Sequence, residues 1–321
     1  MAKDELDLAV EIGGTKLQFC VGRSGGPWEK TERSIIEPQR GAQGILEILT
    51  NRISELKTQY SLRRAGIGFG GPVDCVSGKI YKSHQIRGWD GFDLKSWFSD
   101  QFQLPAQIGN DCDVAALAEA RLGAGRNFKS VFYVTVGSGI GGGLVLQHES
   151  FGSARPALME IGHLRPGIHA TDPSQTVESV SSGWGIARQV QAKITNPSSA
   201  ASVNDVQDLR RRCANDAQKL TAVDVAEAAL DGNTMAAEVI SEAVKTLGWG
   251  IAQAIALMAP EVVVIGGGVS LMKESLFFTP LQTWIAKYVF PPLADAYALR
   301  QAELGEEVVL HGGLLLAEQA A

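Results

Sequence analysis

Three glycine-rich turns, each at the end of an apolar run of strand length, limit this chain more than any other feature of it. Gly13-Gly14-Thr15 follows residues 6–12, the cluster 137–143 follows residues 128–136, and Gly266-Gly267-Gly268 follows residues 261–265. Glycine tolerates positive φ and carries no side chain, so backbone N–H groups in such turns can close around an anion. Residues 16–22 and 144–147 resume the β pattern, so a strand–turn–strand unit recurs about 120 residues downstream, as in a structural duplication.

Two common phosphate motifs are excluded. Gly137-Ser138-Gly139-Ile140-Gly141-Gly142 fits GxGxxG, but a dinucleotide fold needs a helix next, and Gly143-Leu144-Val145-Leu146 continues as a strand. No GxxxxGK[ST] occurs, so this is not a P-loop chain.

Between the turns, strands and helices alternate, which indicates an α/β protein. Residues 41–57 and 113–122 read as helices, with Asp113 as the cap of the second, and residues 65–69 read as a strand ending at Gly70-Gly71-Pro72. Residues 195–222 read as a loop or exposed helix pair, with Arg210–Arg212 on a solvated face. Residues 220–259 read as two or three helices, 262–265 as a strand, and 308–310 as a last strand before a short terminal helix. The apolar stretch 247–269 is broken by Gln253, Pro260 and Glu261, and so reads as helix then strand, not as a membrane span.

The net charge of −6 argues against nucleic-acid or acidic-membrane partners. The four cysteines form no CxxC pair and the N-terminus has no signal-peptide core, so a cytoplasmic protein with free thiols is expected.

Glu11-Ile-Gly-Gly-Thr-Lys16 resembles the first phosphate motif of sugar kinases with an actin-like ATPase fold. Thr135-Val-Gly-Ser-Gly-Ile-Gly-Gly-Gly143 resembles the second, and Val264-Ile-Gly-Gly-Gly268 the adenosine motif. Gly66-Ile-Gly-Phe-Gly-Gly-Pro-Val-Asp74, Gly109-Asn-Asp-Cys-Asp-Val-Ala-Ala-Leu117 and Glu160-Ile-Gly-His163 narrow the likeness to the ROK family. The resemblance implies a two-domain α/β, actin-like ATPase (ribonuclease H-like) fold with the sugar in a cleft that closes over it. It places residues 1–122 in one domain, joined by a terminal helix over about 305–321, and residues 123–304 in the other. It also implies a homodimer.

The activity implied is ATP-dependent phosphorylation of a hexose hydroxyl, of glucokinase type and on the 6-OH of glucose, with Asp111 as general base and Mg2+ accompanying ATP. Gly70, Gly71, Asn110, Glu160, His163 and Glu178 match positions that contact the sugar. Glu11, Gly13, Gly14, Thr15, Lys16, Gly137, Ser138, Gly139, Gly267 and Gly268 match positions at the nucleotide.

The sequence departs from the family at four places. Many ROK proteins hold zinc through the motif histidine and a CxCGxxGC cluster, whereas His163 is followed by a stretch without cysteine, so no zinc is expected. Glu11 stands where Asp is usual, Gly70 replaces a usual Pro, and His84-Gln85 replaces Pro-Asn ahead of Gly88-Trp89, which bears on sugar selectivity. A polyphosphate donor is the enzymatic alternative, although no added Lys or Arg run flanks the turns. The non-catalytic alternative is a sugar-binding pseudokinase or sensor; a DNA-binding repressor is disfavoured because only ten residues precede Glu11.

Overall fold

Every second residue of the first strand would face solvent in a one-sided sheet, yet β1 (Glu5–Ile12) is buried along its length after Glu5, so both faces are covered. The computed structural model describes residues 5–83, 85–152, 155–198 and 201–320. Contacts divide the chain into two units: Met1–Tyr133 with Gly143–Met159 and Ala302–Ala321, and Val134–Gly142 with Glu160–Gln301.

In the first unit β1 is followed by β2 (Lys16–Gly22), β3 (Trp28–Ile35), α1 (Gly41–Gln59) and β4 (Ser61–Phe69). The short pair β5 (Val73–Asp74) and β6 (Lys79–Ile80) precedes α2 (Leu94–Phe102), β7 (Ala106–Asn110) and α3 (Asp111–Arg121). The sheet order is β3-β2-β1-β4-β7, with β1 antiparallel to β2 and parallel to β4. Ile45, Leu49, Ile53 and Leu56 of α1 recur at helical spacing and join Leu8, Val10 and Phe19 in the core on one face. Ala9 and Cys20 point the other way, onto Leu310 and Leu314 of the terminal helix.

The chain continues through β8 (Ser130–Val136), β9 (Ile140–Leu146), β10 (Glu149–Ser150), α4 (Val177–Ser181) and α5 (Gly183–Thr195). Then come α6 (Val203–Arg212), α7 (Ala222–Leu230), α8 (Thr234–Met258), β11 (Val262–Gly266), α9 (Phe278–Tyr288), β12 (Ala298–Gln301) and α10 (Val308–Ala317). A second sheet has the order β10-β9-β8-β11-β12. Every residue of β11 is buried, as its unbroken apolar sequence requires. The 25-residue helix α8 packs against α4, α7 and α9. It ends at Ala259 in the left-handed conformation, which separates it from β11, and no helix among the described residues is long and apolar enough to cross a membrane.

Two expectations are corrected here. Residues 308–310 open α10 and are not a strand; a short run of Val, Val and Leu has no periodicity to tell the two apart. The last strand is β12, paired parallel to β11. Helix α3 begins at Asp111, two residues before the position read from sequence, and its cap is not Asp113. Asn110, with extended backbone, accepts the Cys112 and Asp113 amide hydrogens on Oδ1, so Asp111 and Asp113 both lie in the first turn. In the stretch read as loop or exposed helices, α6 forms, capped by Ser202, and Arg212 is held by Asp208 and Asp231.

Candidate active site

In the first unit, the β1–β2 turn, the Gly70-Gly71 loop and the start of α3 follow the ends of β1, β4 and β7, and pairing places those ends side by side: Ile12 beside Phe69, and Phe69 beside Asn110. The β1–β2 turn is closed by the Gly13 amide, which donates to the Lys16 carbonyl at 3.0 Å. The Gly70 amide donates to the Ile12 carbonyl at 2.8 Å, which draws the Gly70-Gly71 loop onto that turn. Asn110 Nδ2 donates to the Gly71 carbonyl at 2.9 Å. Asp111 lies under the same loop, with a carboxylate oxygen 3.4 Å from where a side chain on Gly70 would begin. Gly13, Gly14, Thr15, Lys16, Gly70, Gly71, Asn110 and Asp111 are thus gathered in one neighbourhood.

Two carboxylates there are held away from their ordinary ionisation. Burial pushes the Asp111 carboxyl up, against a hydrogen bond from the Cys112 amide to Oδ1. Glu11, 8% exposed, is pushed up to about 7 by burial, opposed by Lys16 and reinforced by the Asp111 charge. Lys16 Nζ lies 3.4 Å from Glu11 Oε1, while Glu11 Oε2 is buried without a hydrogen-bond partner among the described residues. A buried, uncommitted oxygen next to a second carboxylate is a donor set suited to a hard divalent cation such as Mg2+.

Gln85 was singled out in sequence for the sugar. The structure puts its side chain over the phosphate turn, with Oε1 1.4 Å from where a Cβ on Gly14 would lie. His84 lies outside the described residues.

In the second unit, segments far apart in sequence converge on the turn Gly137-Ser138-Gly139. Gly183 and Trp184, which open α5, donate amide hydrogens to the Gly137 and Ser138 carbonyls at 2.8 and 3.3 Å. Glu178 Oε2 accepts the Ile140 amide hydrogen at 2.8 Å. Gly162, in the middle of Glu160-Ile-Gly-His163, sits so close to Ile140 that a Cβ would fall 2.3 Å from its carbonyl oxygen. Gly267, at φ +86°, lies against the Val136 backbone, where a Cβ would approach to 2.6 Å. Gly268 is exposed beside it, and His163 is exposed with its amide bonded to the Glu160 carbonyl.

Beside Ser138 opens a cavity of about 740 Å³ along α5, lined by Trp184, Arg188, Gln191, Leu220 and Val223 among others. The sequence reading missed these residues; their signal was Ser182-Gly183, a helix start just after Glu178. Among the described residues no three His, Cys, Asp or Glu side chains gather as a metal cage.

A glycine turn between β1 and β2, and again between β8 and β9, each at the head of its own five-stranded sheet, is the architecture of the actin-like ATPase fold. The chain belongs to the ROK family, whose sequence profile matches residues 7–320. It is 30% identical to a glucokinase of Halalkalibacterium halodurans, over 98% of this chain and 96% of that one. It superposes with a TM-score of 0.81 on a ROK glucokinase from Streptomyces griseus in complex with glucose and AMPPNP, at 25% identity, covering 98% and 99% of the two chains. A ROK family transcriptional regulator, a homologue of the E. coli MLC protein, superposes with a TM-score of 0.82 at 21% identity, over 98% of this chain and 78% of that one. At that identity the likeness concerns the fold alone.

Proposed function

We propose that this chain transfers the γ-phosphoryl group of ATP to the 6-hydroxyl of a hexose, glucose first among candidates. The observation that carries the reading is the place of Asp111, under the Gly70 loop and one strand end from the first phosphate turn, with its carboxyl pushed up by burial. A base with a raised pKa is matched to taking a hydroxyl proton near neutral pH. In this reading the sugar oxygen forms its bond to the γ-phosphorus as the bond to the β–γ bridging oxygen breaks. Asp111 receives the hydroxyl proton and ADP leaves. Gly70, Gly71, Asn110, Glu160, His163 and Glu178 orient the sugar, and Gly13, Gly14, Thr15, Lys16, Gly137, Ser138 and Gly139 receive the phosphates. Glu11 would hold Mg2+, which offsets phosphate charge when bound.

The cavity beside Ser138 supports ATP over polyphosphate. It is large and partly apolar, as a nucleoside requires and a phosphate chain does not. In this reading Gly267, packed on Val136 ahead of the second phosphate turn, and Gly268 face the adenosine. The S. griseus complex with glucose and AMPPNP points the same way. The reading includes a cytoplasmic homodimer, for which sedimentation is the check. One observation favours a second reading, a sugar-binding sensor: Glu11 is paired with Lys16 and prone to hold a proton.

A coupled assay with Mg-ATP against a panel of hexoses, with Asp111→Ala as control, separates the two. Turnover of one sugar that is lost in the variant supports the kinase. Sugar binding by calorimetry without any turnover would replace it with the sensor.

A further inference from the structure

We propose that Glu178 is a positioning residue for the nucleotide, holding the second phosphate turn in shape, in addition to any contact it makes with sugar. The inference rests on the kinase reading above only in naming the nucleotide as what the turn binds.

Helix α4, which carries Glu178, is short but strongly fixed. Thr176 and Ser179 form a reciprocal capping box, and Ser181 Oγ donates to the Ala243 carbonyl of α8 at 2.7 Å. From this anchored base the Glu178 side chain reaches the far end of the turn, where Oε2 accepts the Ile140 amide hydrogen at 2.8 Å. The same oxygen lies 2.7 Å from where a Cβ on Gly139 would begin, so the carboxylate fills the space left by that glycine. The other end of the turn is held by Gly183 and Trp184, which follow Glu178 closely in the chain. The segment 176–184 therefore grips the turn at both ends, and Glu178 supplies the only side-chain hydrogen bond of that grip among the described residues.

The chemistry explains why a carboxylate is there. A turn presenting backbone N–H groups to phosphates must hold its carbonyls and its unused N–H groups elsewhere. The Glu178 side chain gives the Ile140 N–H an acceptor oxygen within the protein, so that this amide is satisfied without the ligand. Glu178 Oε1 accepts no hydrogen bond among the described residues, so one oxygen holds the turn while the other is left to a sugar hydroxyl. Whatever fixes one end of the carboxylate then restrains the other.

The test measures nucleotide affinity with no sugar present. Mg-AMPPNP binding is followed by calorimetry for the unsubstituted protein, Glu178→Leu and Glu178→Gln, with hydrogen exchange over residues 136–144 alongside. The expected result is that Glu178→Leu weakens Mg-AMPPNP about tenfold and speeds exchange of that segment. Glu178→Gln, whose amide oxygen can accept the same N–H, recovers most of both. Equal affinity and equal exchange in all three proteins would overturn the proposal and leave Glu178 a sugar contact alone. If Glu178→Leu does not fold, Glu178→Asp, whose shorter side chain withdraws the acceptor from the Ile140 amide, takes its place, and unchanged Mg-AMPPNP affinity and exchange in that variant would overturn the proposal. Failure of the unsubstituted protein to bind Mg-AMPPNP, with exchange still dependent on Glu178, would instead remove the kinase reading and leave the grip on the turn standing.

Discussion

Asn110 Nδ2 donates to the Gly71 carbonyl at 2.9 Å, while its Oδ1 caps the helix that begins at Asp111. One side chain thus fixes the loop above Asp111 and the helix that carries it. Asn110→Ala is expected to cost about 2 kcal/mol, from the lost cap and the orphaned carbonyl together. Asn110→Ser keeps a cap and forfeits only the Gly71 bond, so it should cost about half as much. Urea unfolding of the two variants checks the ratio.

Glu11 makes stability depend on pH in a defined direction. A carboxyl raised in the folded state to about 7 stabilises below its unfolded value of 4.5 and loses that contribution as pH rises through 7. The rise from 4.5 to about 7 corresponds to about 3 kcal/mol at most. Unfolding measured in chelator at pH 5 and pH 8 should therefore show a fall in stability that Glu11→Gln largely abolishes. An unchanged fall in that variant would assign the dependence to other groups, Asp111 foremost.

Glu119 is fully buried on α3 and accepts amide hydrogens from Ala124, Glu303 and Leu304 at 2.8, 3.2 and 2.9 Å. It joins the end of its own helix to a segment that approaches α10, nearly two hundred residues away. Glu119→Ala leaves three donors without an acceptor and should destabilise by about 3 kcal/mol or more. Glu119→Gln retains one acceptor oxygen and should recover part of that. Thermal unfolding of both variants measures the difference.

Gly267 combines φ of +86° with a backbone neighbour that cannot yield. Gly267→Ala must strain its own dihedrals and push Val136 away, for about 2 kcal/mol or more of lost stability. Because Val136 leads directly into the second phosphate turn, nucleotide affinity should fall with it. A variant that keeps both stability and Mg-AMPPNP binding would contradict this packing.

The strand–turn–strand units and the glycines were legible because their signals are local: an apolar run, then residues that permit unusual backbone. The edge strand Trp28–Ile35 was missed since its sequence, WEKTERSI, is polar on both faces, and only pairing with β2 makes it a strand. The cap at Asn110 was misread because Asn110, Asp111 and Asp113 are all competent caps and only backbone geometry chooses among them. Glu119 was invisible as a buried acceptor, since two of its partners come from residues 303 and 304. Gln85 and the α5 cavity depend likewise on contacts between distant segments.

The second phosphate turn draws on residues 136–140, 162, 178–184 and 267, a span of some 130 positions. Each of those contacts closes a long loop, whose entropy is lost before the contact returns anything. The turn is accordingly expected among the last parts of its unit to reach native shape during folding, and among the first to loosen on mild denaturation. Ligand-binding competence in this chain should therefore vanish at lower denaturant than helical circular dichroism does.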